Sequence, residues 1–397
     1  MVIGDTLPPH EVIVIADDLT GACDTAVAFS MKGMKAEVML DWSAAKDFST
    51  EVIAIDTESR DIPASEARHK LKIAASQLNL KRFTHIFKKV DSVFRGNTLN
   101  EIVAAIEEFP FDLAIMAPAY PRLGRTSKDG IVRVCDLSGE RTFAVRDGLQ
   151  ASGIKICHIA VGSAAEEIAE ILVKNLHGEC QLVYCDAMSE RDLQVIVTEG
   201  RRLAVRTLWI GSAGLAHALA FDLVGDNSDN ISSETPGCHP SVETSGSVFF
   251  FTGSDHLVTQ TQVFALREEH EVVEYAFDGS TSDDNQGRGI FLVAVKRGVT
   301  TELDISSTLE WIRPNNISCL FMTGGDTAVL VCRALGIQGL QLQDEFAPGL
   351  PRGLAVGGTL AGSPVILKSG GFGEPDVLCR IVEAYQPDVK ERNEVAH

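Results

Sequence analysis

The stretch Val12-Ile13-Val14-Ile15-Ala16-Asp17-Asp18-Leu19-Thr20-Gly21-Ala22 decides how this chain is read, because an apolar run stops abruptly at two adjacent carboxylates. Val12 to Ala16 has the length and β-branched content of a strand buried on both faces of a parallel sheet, and Gly21 to Lys32 follows as a helix. Asp17 and Asp18 then stand at a strand's carboxyl end, where open α/β sheets bind their ligands. A carboxylate pair there can bind a polyol, accept a hydroxyl proton or hold a metal. The competing reading has one aspartate capping the helix and the other solvated.

Outward from this loop the same alternation continues. Strand-like runs at Val52 to Ile55, Thr84 to Val90, Leu113 to Ala117, Lys155 to Val161, Leu182 to Cys185 and Thr207 to Ile210 are separated by amphipathic helical stretches. That order predicts an α/β protein with a mostly parallel sheet and flanking helices. Residues 225–246, rich in Asp, Asn, Ser, Pro and Gly, break the pattern and read as a linker or hinge. A second α/β unit begins at Ser247 to Phe251, continues through Ile290 to Val295, a helix at Ser306 to Ile312 and Cys319 to Met322, and closes with a helix from Glu374 to Tyr385. The expected division is residues 1–224, a linker at 225–246, and residues 247–397.

The chain has 397 residues, more than the roughly 250 to 300 at which one core stops growing, which agrees with two domains. Its net charge of −20 disfavours nucleic acid and anionic membranes as partners, and an anionic substrate needs local Lys, Arg or backbone amides. Nine cysteines without paired CxxC spacing argue against a disulfide framework and for a reducing compartment. Met1 to His10 lacks a basic start and an apolar signal core, and no run reaches the roughly 18 to 20 unbroken apolar residues of a membrane span. A cytoplasmic protein is expected, with a homo-oligomer left open.

Two kinds of loop carry chemistry. In the first half, Lys88-Lys89-Val90-Asp91-Ser92-Val93-Phe94-Arg95-Gly96-Asn97 groups ammonium, carboxylate, hydroxyl and guanidinium groups between a strand and a helix. Asp56-Thr57-Glu58-Ser59-Arg60 and Ala117-Pro118-Ala119-Tyr120-Pro121-Arg122 also follow strands. Arg grips a carboxylate through parallel bonds and Lys adds a point charge, so these loops suit a small hydroxylated acid. In the second half, Thr252-Gly253-Ser254, Thr323-Gly324-Gly325-Asp326-Thr327 and Lys368-Ser369-Gly370-Gly371-Phe372-Gly373 are glycine turns whose backbone N–H groups can cradle phosphates, and the three can converge on one nucleotide. None matches GxxxxGK[ST] or GxGxxG, which counts against a P-loop ATPase and a nicotinamide-dependent dehydrogenase.

Taken in order, Ile15-Ala16-Asp17-Asp18-Leu19-Thr20-Gly21, Lys88-Lys89-Val90-Asp91-Ser92 with Arg95-Gly96-Asn97, Ala117-Pro118-Ala119-Tyr120-Pro121, Gly211-Ser212-Ala213-Gly214-Leu215-Ala216, Gly324-Gly325-Asp326-Thr327-Ala328 and Lys368-Ser369-Gly370-Gly371-Phe372-Gly373 resemble the four-carbon acid sugar kinases nearly end to end. The resemblance implies an N-terminal acid-sugar-binding domain and a C-terminal ATP-binding domain. The reaction it implies is ATP-dependent phosphorylation of D-threonate, D-erythronate or 3-oxo-tetronate at the 4-hydroxyl, the first two favoured. It places Asp17, Asp18, Arg60, Lys88, Asp91 and Arg95 at the acid sugar. Ser254, the turn Gly324, Gly325, Asp326 and Thr327, and the loop at Gly370 and Gly371 fall at ATP. Other members have Glu where this chain has Asp326, and Asn where it has Gly371.

In the expected mechanism Arg60 or Arg95 anchors the substrate carboxylate, Asp17 or Asp18 orients and deprotonates the hydroxyl, and Lys88 balances charge. Mg²⁺ bridges the ATP phosphates, held partly by Asp326 or through water, its protein ligands otherwise unassigned. The alternatives weighed are a 3-oxo-tetronate 4-kinase, a non-catalytic sugar-acid-binding protein and a hydroxy-acid dehydrogenase.

Overall fold

Strands form where β-branched and aromatic residues run without interruption, and their carboxyl ends place the charged and glycine-rich loops. A computed structural model describes residues 12–42, 50–136, 139–225, 246–276, 289–308 and 317–386. The linker expected at 225–246 lies, from 226 to 245, outside the described residues. By their internal contacts, described residues 12–37, 42 and 50–225 form one compact unit, and 38–41 with those from 246 onward form another.

The elements up to residue 225 are β1 (Val12–Ala16), α1 (Leu19–Ser30), β2 (Ala36–Met39), β3 (Val52–Asp56), α2 (Ala64–Gln77), β4 (His85–Lys89), α3 (Thr98–Glu108), β5 (Leu113–Ala117), β6 (Arg125–Lys128), β7 (Ile131–Asp136), β8 (Gly139–Phe143), α4 (Val145–Ala151), β9 (Ile156–Ile159), α5 (Ala165–Leu176), β10 (Leu182–Cys185), α6 (Glu190–Arg202), β11 (Thr207–Gly211) and α7 (Ala213–Val224). Strands β3, β1, β4, β11, β5, β10 and β9 lie side by side in that order, all parallel. Every residue of β1, β3, β4, β5, β10 and β11 is buried, as expected of a sheet covered by helices on both faces. The chain leaves β1 toward β3 on one side and then crosses to β4 on the other. This makes the β1/β4 boundary a topological switch point, where a crevice opens at the carboxyl ends.

From residue 246 the elements are β12 (Ser247–Thr252), α8 (Leu257–Glu269), β13 (Val272–Ala276), β14 (Ile290–Ala294), α9 (Glu302–Thr308), β15 (Ile317–Thr323), α10 (Gly325–Ala334), β16 (Gly339–Ala347), β17 (Leu350–Val356), β18 (Pro364–Lys368) and α11 (Val377–Tyr385). Strands β13, β14, β12, β15 and β18 are parallel neighbours, and β17 and β16 extend them antiparallel. Again the connections reverse direction, here between β12 and β15, so two glycine loops leave the sheet at a switch point. Phe250 and Phe321 pack with Val377, Ile381 and Val382 of α11 in the core of this unit.

The mixed α/β class is as expected, with corrections of detail. Described residues 125–136 and 139–143 include a three-stranded antiparallel sheet, β6-β7-β8, that the apolar pattern did not announce. The helix expected at Ser306 to Ile312 is Glu302–Thr308, and 309–312 lie outside the described residues. Cys157 and Cys180 form a disulfide, where the cysteine spacing had argued against a disulfide framework. Parallel pairing of β9 and β10 brings together cysteines 23 residues apart, a proximity no local spacing encodes. Among the described residues no helix is long and apolar enough to cross a membrane.

Burial sets the stability expected of these cores. Phe250→Ala, which empties a fully buried site, should lower the unfolding free energy by about 3–5 kcal/mol in urea titrations of the full chain. A loss below about 1 kcal/mol would show that Phe250 does not anchor the α11 core.

Candidate active site

Asp18 caps α1, the role that the competing sequence reading gave to one of the two aspartates, and also pairs with Arg60. Its extended backbone makes it the N-cap of α1, with Oδ1 accepting from the Gly21 N–H at 2.8 Å, while Oδ2 accepts from Thr20 Oγ1 at 2.7 Å and from Arg60 Nη1 at 2.5 Å. Asp17, one residue earlier, takes both remaining Arg60 donors, Nε to Oδ2 at 2.8 Å and Nη2 to Oδ1 at 3.0 Å. Arg60 therefore spends all three nitrogens on the aspartate pair, and Asp91 Oδ1 lies 3.8 Å from its Nη2. Burial pushes the Asp17 carboxyl up, but the Arg60 guanidinium, with Lys88 behind it, outweighs this and holds it below the usual range.

Asp91, at the end of β4, binds Arg95 in a fork: Nε to Oδ2 at 2.8 Å and Nη2 to Oδ1 at 2.7 Å, with the Arg95 N–H at 2.9 Å. Burial again raises the acid, and Arg95 and Arg60 together bring Asp91 well below its ordinary value. The Arg95 side chain is half exposed, unlike that of Arg60, so its outer edge faces solvent. Gly96 has φ +64, and a Cβ there would meet the Arg60 carbonyl oxygen at 2.3 Å, so only glycine lets this loop close on Arg60. Asn97 Nδ2 fastens the closure by donating to the carbonyls of Ser59 at 2.9 Å and Ile62 at 2.7 Å.

The two lysines of β4 part company because successive strand side chains point to opposite faces. Lys88, 1% exposed, pairs with Glu101 of α3 at 2.7 Å, and Glu101 also accepts from Ser59 Oγ at 2.6 Å. Its charge reaches the site as a field on Asp17. The Lys89 ammonium makes no hydrogen bond or ion pair with another described residue; its charge helps lower Asp91, and it lies beside Gly21 and Asp18, 3.3 Å from where a Gly21 Cβ would stand. Sequence reasoning quoted Lys89 without selecting it; strand alternation was the signal that could have separated the pair. It also quoted Asp56 in its loop without selecting it, and passed over Glu101. Asp56, at the end of β3, accepts the Glu58 N–H at 2.6 Å, and burial together with the Asp18 charge pushes its carboxyl well up.

In the other unit the structure brings the three glycine loops together. A Cβ on Gly253 would fall 2.1 Å from Thr327 Oγ1, one on Gly370 would fall 2.2 Å from Ser254 Oγ, and one on Gly371 would touch His256 Nε2 at 3.3 Å. The Gly324 N–H donates to the Lys368 carbonyl at 3.0 Å, tying the second loop to the third. The first N–H groups of α10, on Gly325, Asp326 and Thr327, have no acceptor among the described residues. Thr323 Oγ1 is likewise buried without a partner. Asp326 is exposed and pairs with Arg297 at 3.0 Å. Unspent donors at a helix start fit a polyphosphate.

Comparison with known proteins agrees with both halves. A family model described as a sugar-binding N-terminal domain matches residues 12–219, and one described as a nucleotide-binding C-terminal domain matches residues 303–378. A D-threonate kinase of Salmonella typhimurium is 29% identical over 93% of this chain and 97% of its own length. A D-erythronate kinase of Heliobacterium modesticaldum is 25% identical over 94% and 96%. A 3-oxo-tetronate kinase of Pseudomonas fluorescens is 26% identical over 92% and 95%. A crystal structure from Salmonella typhimurium, described as a putative tRNA synthase, shares the fold with a TM-score of 0.74 at 20% identity, covering 95% of this chain and all of that one. With a sugar-binding domain over more than half its length, followed by a nucleotide-binding domain, the chain belongs to the four-carbon acid sugar kinase family and is a carbohydrate kinase.

Proposed function

We propose that this kinase uses ATP and Mg²⁺ to phosphorylate the 4-hydroxyl of D-threonate or D-erythronate. Residues 1–224 bind the acid and residues 247–397 bind ATP, with 225–246 joining them. The observation that carries the reading is the mixed-charge crevice at the ends of β1, β3 and β4. Carboxylates there are gathered on the buried Arg60 guanidinium, while the Lys89 ammonium and the outer edge of Arg95 remain for an anion. A short hydroxy acid matches this arrangement: its carboxylate meets Lys89 and Arg95, and its hydroxyls donate to Asp17 and Asp18. D-threonate kinases of Salmonella typhimurium and Bordetella bronchiseptica, 29% and 28% identical, support a threonate-like substrate over the 3-oxo acid of the 26% relative.

Each residue then has a distinct task. Arg60 aligns Asp17 and Asp18 so that their oxygens orient the terminal hydroxyl, and one of the pair takes its proton. Lys88 supplies positive field from beneath without touching substrate. Asp91 holds Arg95 in place for the substrate carboxylate. In the second unit Ser254, the Gly324–Thr327 turn and the Gly370–Gly371 loop receive the nucleotide. Bound Mg²⁺ would neutralise phosphate charge, and Asp326 would hold it directly or through water.

Turnover of D-threonate, D-erythronate and 3-oxo-tetronate, followed as ADP release with ATP and Mg²⁺, should favour one of the first two. Preference for the 3-oxo acid would move the assignment to a 3-oxo-tetronate 4-kinase. Asp17→Asn and Asp18→Asn should each lower kcat by about 100-fold or more while leaving KM for ATP unchanged. If either keeps full turnover, that aspartate has no part in proton transfer.

Asp56 generates a pH prediction. A buried acid whose pKa is raised in the folded state favours folding at low pH and loses that contribution as pH rises through the folded value. Asp56→Asn should therefore raise the melting temperature at neutral and alkaline pH, with a gain that fades toward pH ~4, where aspartate is protonated even when unfolded. A gain independent of pH would show that Asp56 carries no buried charge.

A further inference from the structure

We propose that Lys368 is a positioning residue of the nucleotide site, whose ammonium clamps the carbonyls of Ser369 and Gly370 and thereby aims the N–H groups of Gly370 and Gly371 at the phosphates. This rests on the reading of the three glycine loops as the ATP site. Lys368 ends β18, is 0% exposed, and makes no ion pair with any described carboxylate. Its Nζ donates instead to Thr259 Oγ1 at 3.0 Å, Gly370 O at 3.0 Å and Ser369 O at 3.2 Å. An ammonium has three N–H donors, and here three acceptors meet them. A neutral amine, with two donors, leaves one acceptor unmet. Burial pulls Lys368 down to about 7, so the surroundings hold this charge at a cost that the loop geometry offsets.

The clamp has a directional consequence. In a trans peptide the C=O and the following N–H point in opposite directions. Carbonyls of Ser369 and Gly370 turned toward Lys368 therefore turn the Gly370 and Gly371 N–H groups away from it. Neither N–H has an acceptor among the described residues. Ser254 Oγ and the ring of His256 lie against this same segment, and the Lys368 carbonyl holds the Gly324 N–H, so Lys368 ties the second loop to the third. Thr259 Oγ1, bonded to both Lys368 and Gly370 O, fixes the clamp to α8. Two adjacent, unspent N–H groups on a backbone held from behind by a cation form an anion-binding nest. Lys368 supports it without touching the ligand.

The test is calorimetric titration of the full chain with ADP and Mg²⁺, together with steady-state kinetics, for the unaltered protein and Lys368→Met. The proposal expects Lys368→Met to weaken ADP and raise KM for ATP by about tenfold or more, with KM for the acid and the remaining kcat little changed. A purely structural role would lower kcat through the active fraction and leave the ADP affinity of the folded molecules intact, which would overturn the proposal. Amide spectra of the unaltered protein give a readout that does not depend on the variant folding. ADP should move the Gly370 and Gly371 amide protons downfield, and unmoved resonances while ADP binds would refute the nest. Failure of the unaltered chain to bind ADP at all would instead remove the nucleotide-site reading.

Discussion

The Arg60 guanidinium, shared between Asp17 and Asp18, is the interaction on which the mixed-charge crevice of the first unit depends. Asp17, Asp18 and Asp91 are buried around this one cation, and without it burial would draw protons onto Asp17 and Asp91. The pairing is possible because the parallel register sets Ala16 against Asp56 and Ile15 against Lys88, so the loops after β1, β3 and β4 leave the sheet at one level. Gly96 and Asn97 then fold the loop after β4 onto the Arg60 backbone. Removing a single partner from such a cluster strands the others, which is why the residues act as a unit.

Both units use the same topological device for different ligands. Each has a sheet whose connections reverse beside a central strand, and each collects its chemistry at the carboxyl ends beside that reversal. In the first unit the loops present charged side chains, which match the acceptors and the cation that the proposed hydroxy acid needs for its hydroxyls and carboxylate. In the second they present backbone N–H groups, which match the many donors at close approach that the proposed polyphosphate needs. On the proposed assignment, a chain with net charge −20 takes two anionic substrates by confining positive potential to small regions.

Much of this was legible before the fold was known, and the rest was hidden for physical reasons. Parallel strands such as Val12–Ala16 and Leu113–Ala117 are buried on both faces, so their apolar runs stand out. The sheet β6-β7-β8 did not, because the strands flanking β7 are largely polar: all but the last residue of Gly139–Phe143 are exposed. Its one local mark was Asp129-Gly130, both at positive φ, a turn that joins β6 to β7. Residue types announced Asp17, Asp18, Asp91 and Arg95. The different fates of Lys88 and Lys89, and the partnership of Lys88 with Glu101, depend on which sheet face each side chain takes and on what α3 brings to it. The same holds for Lys368, whose importance comes from three carbonyl and hydroxyl acceptors that no motif displays.

The most direct test of the account is the position of the transferred phosphate. Phosphorus NMR of the product formed from D-threonate, ATP and Mg²⁺ should show a phosphate ester whose phosphorus couples to the two methylene protons of C4. Coupling to a single methine proton, or release of ADP with no new ester, would contradict the claim that the crevice at Asp17 and Asp18 presents the terminal hydroxyl for phosphorylation.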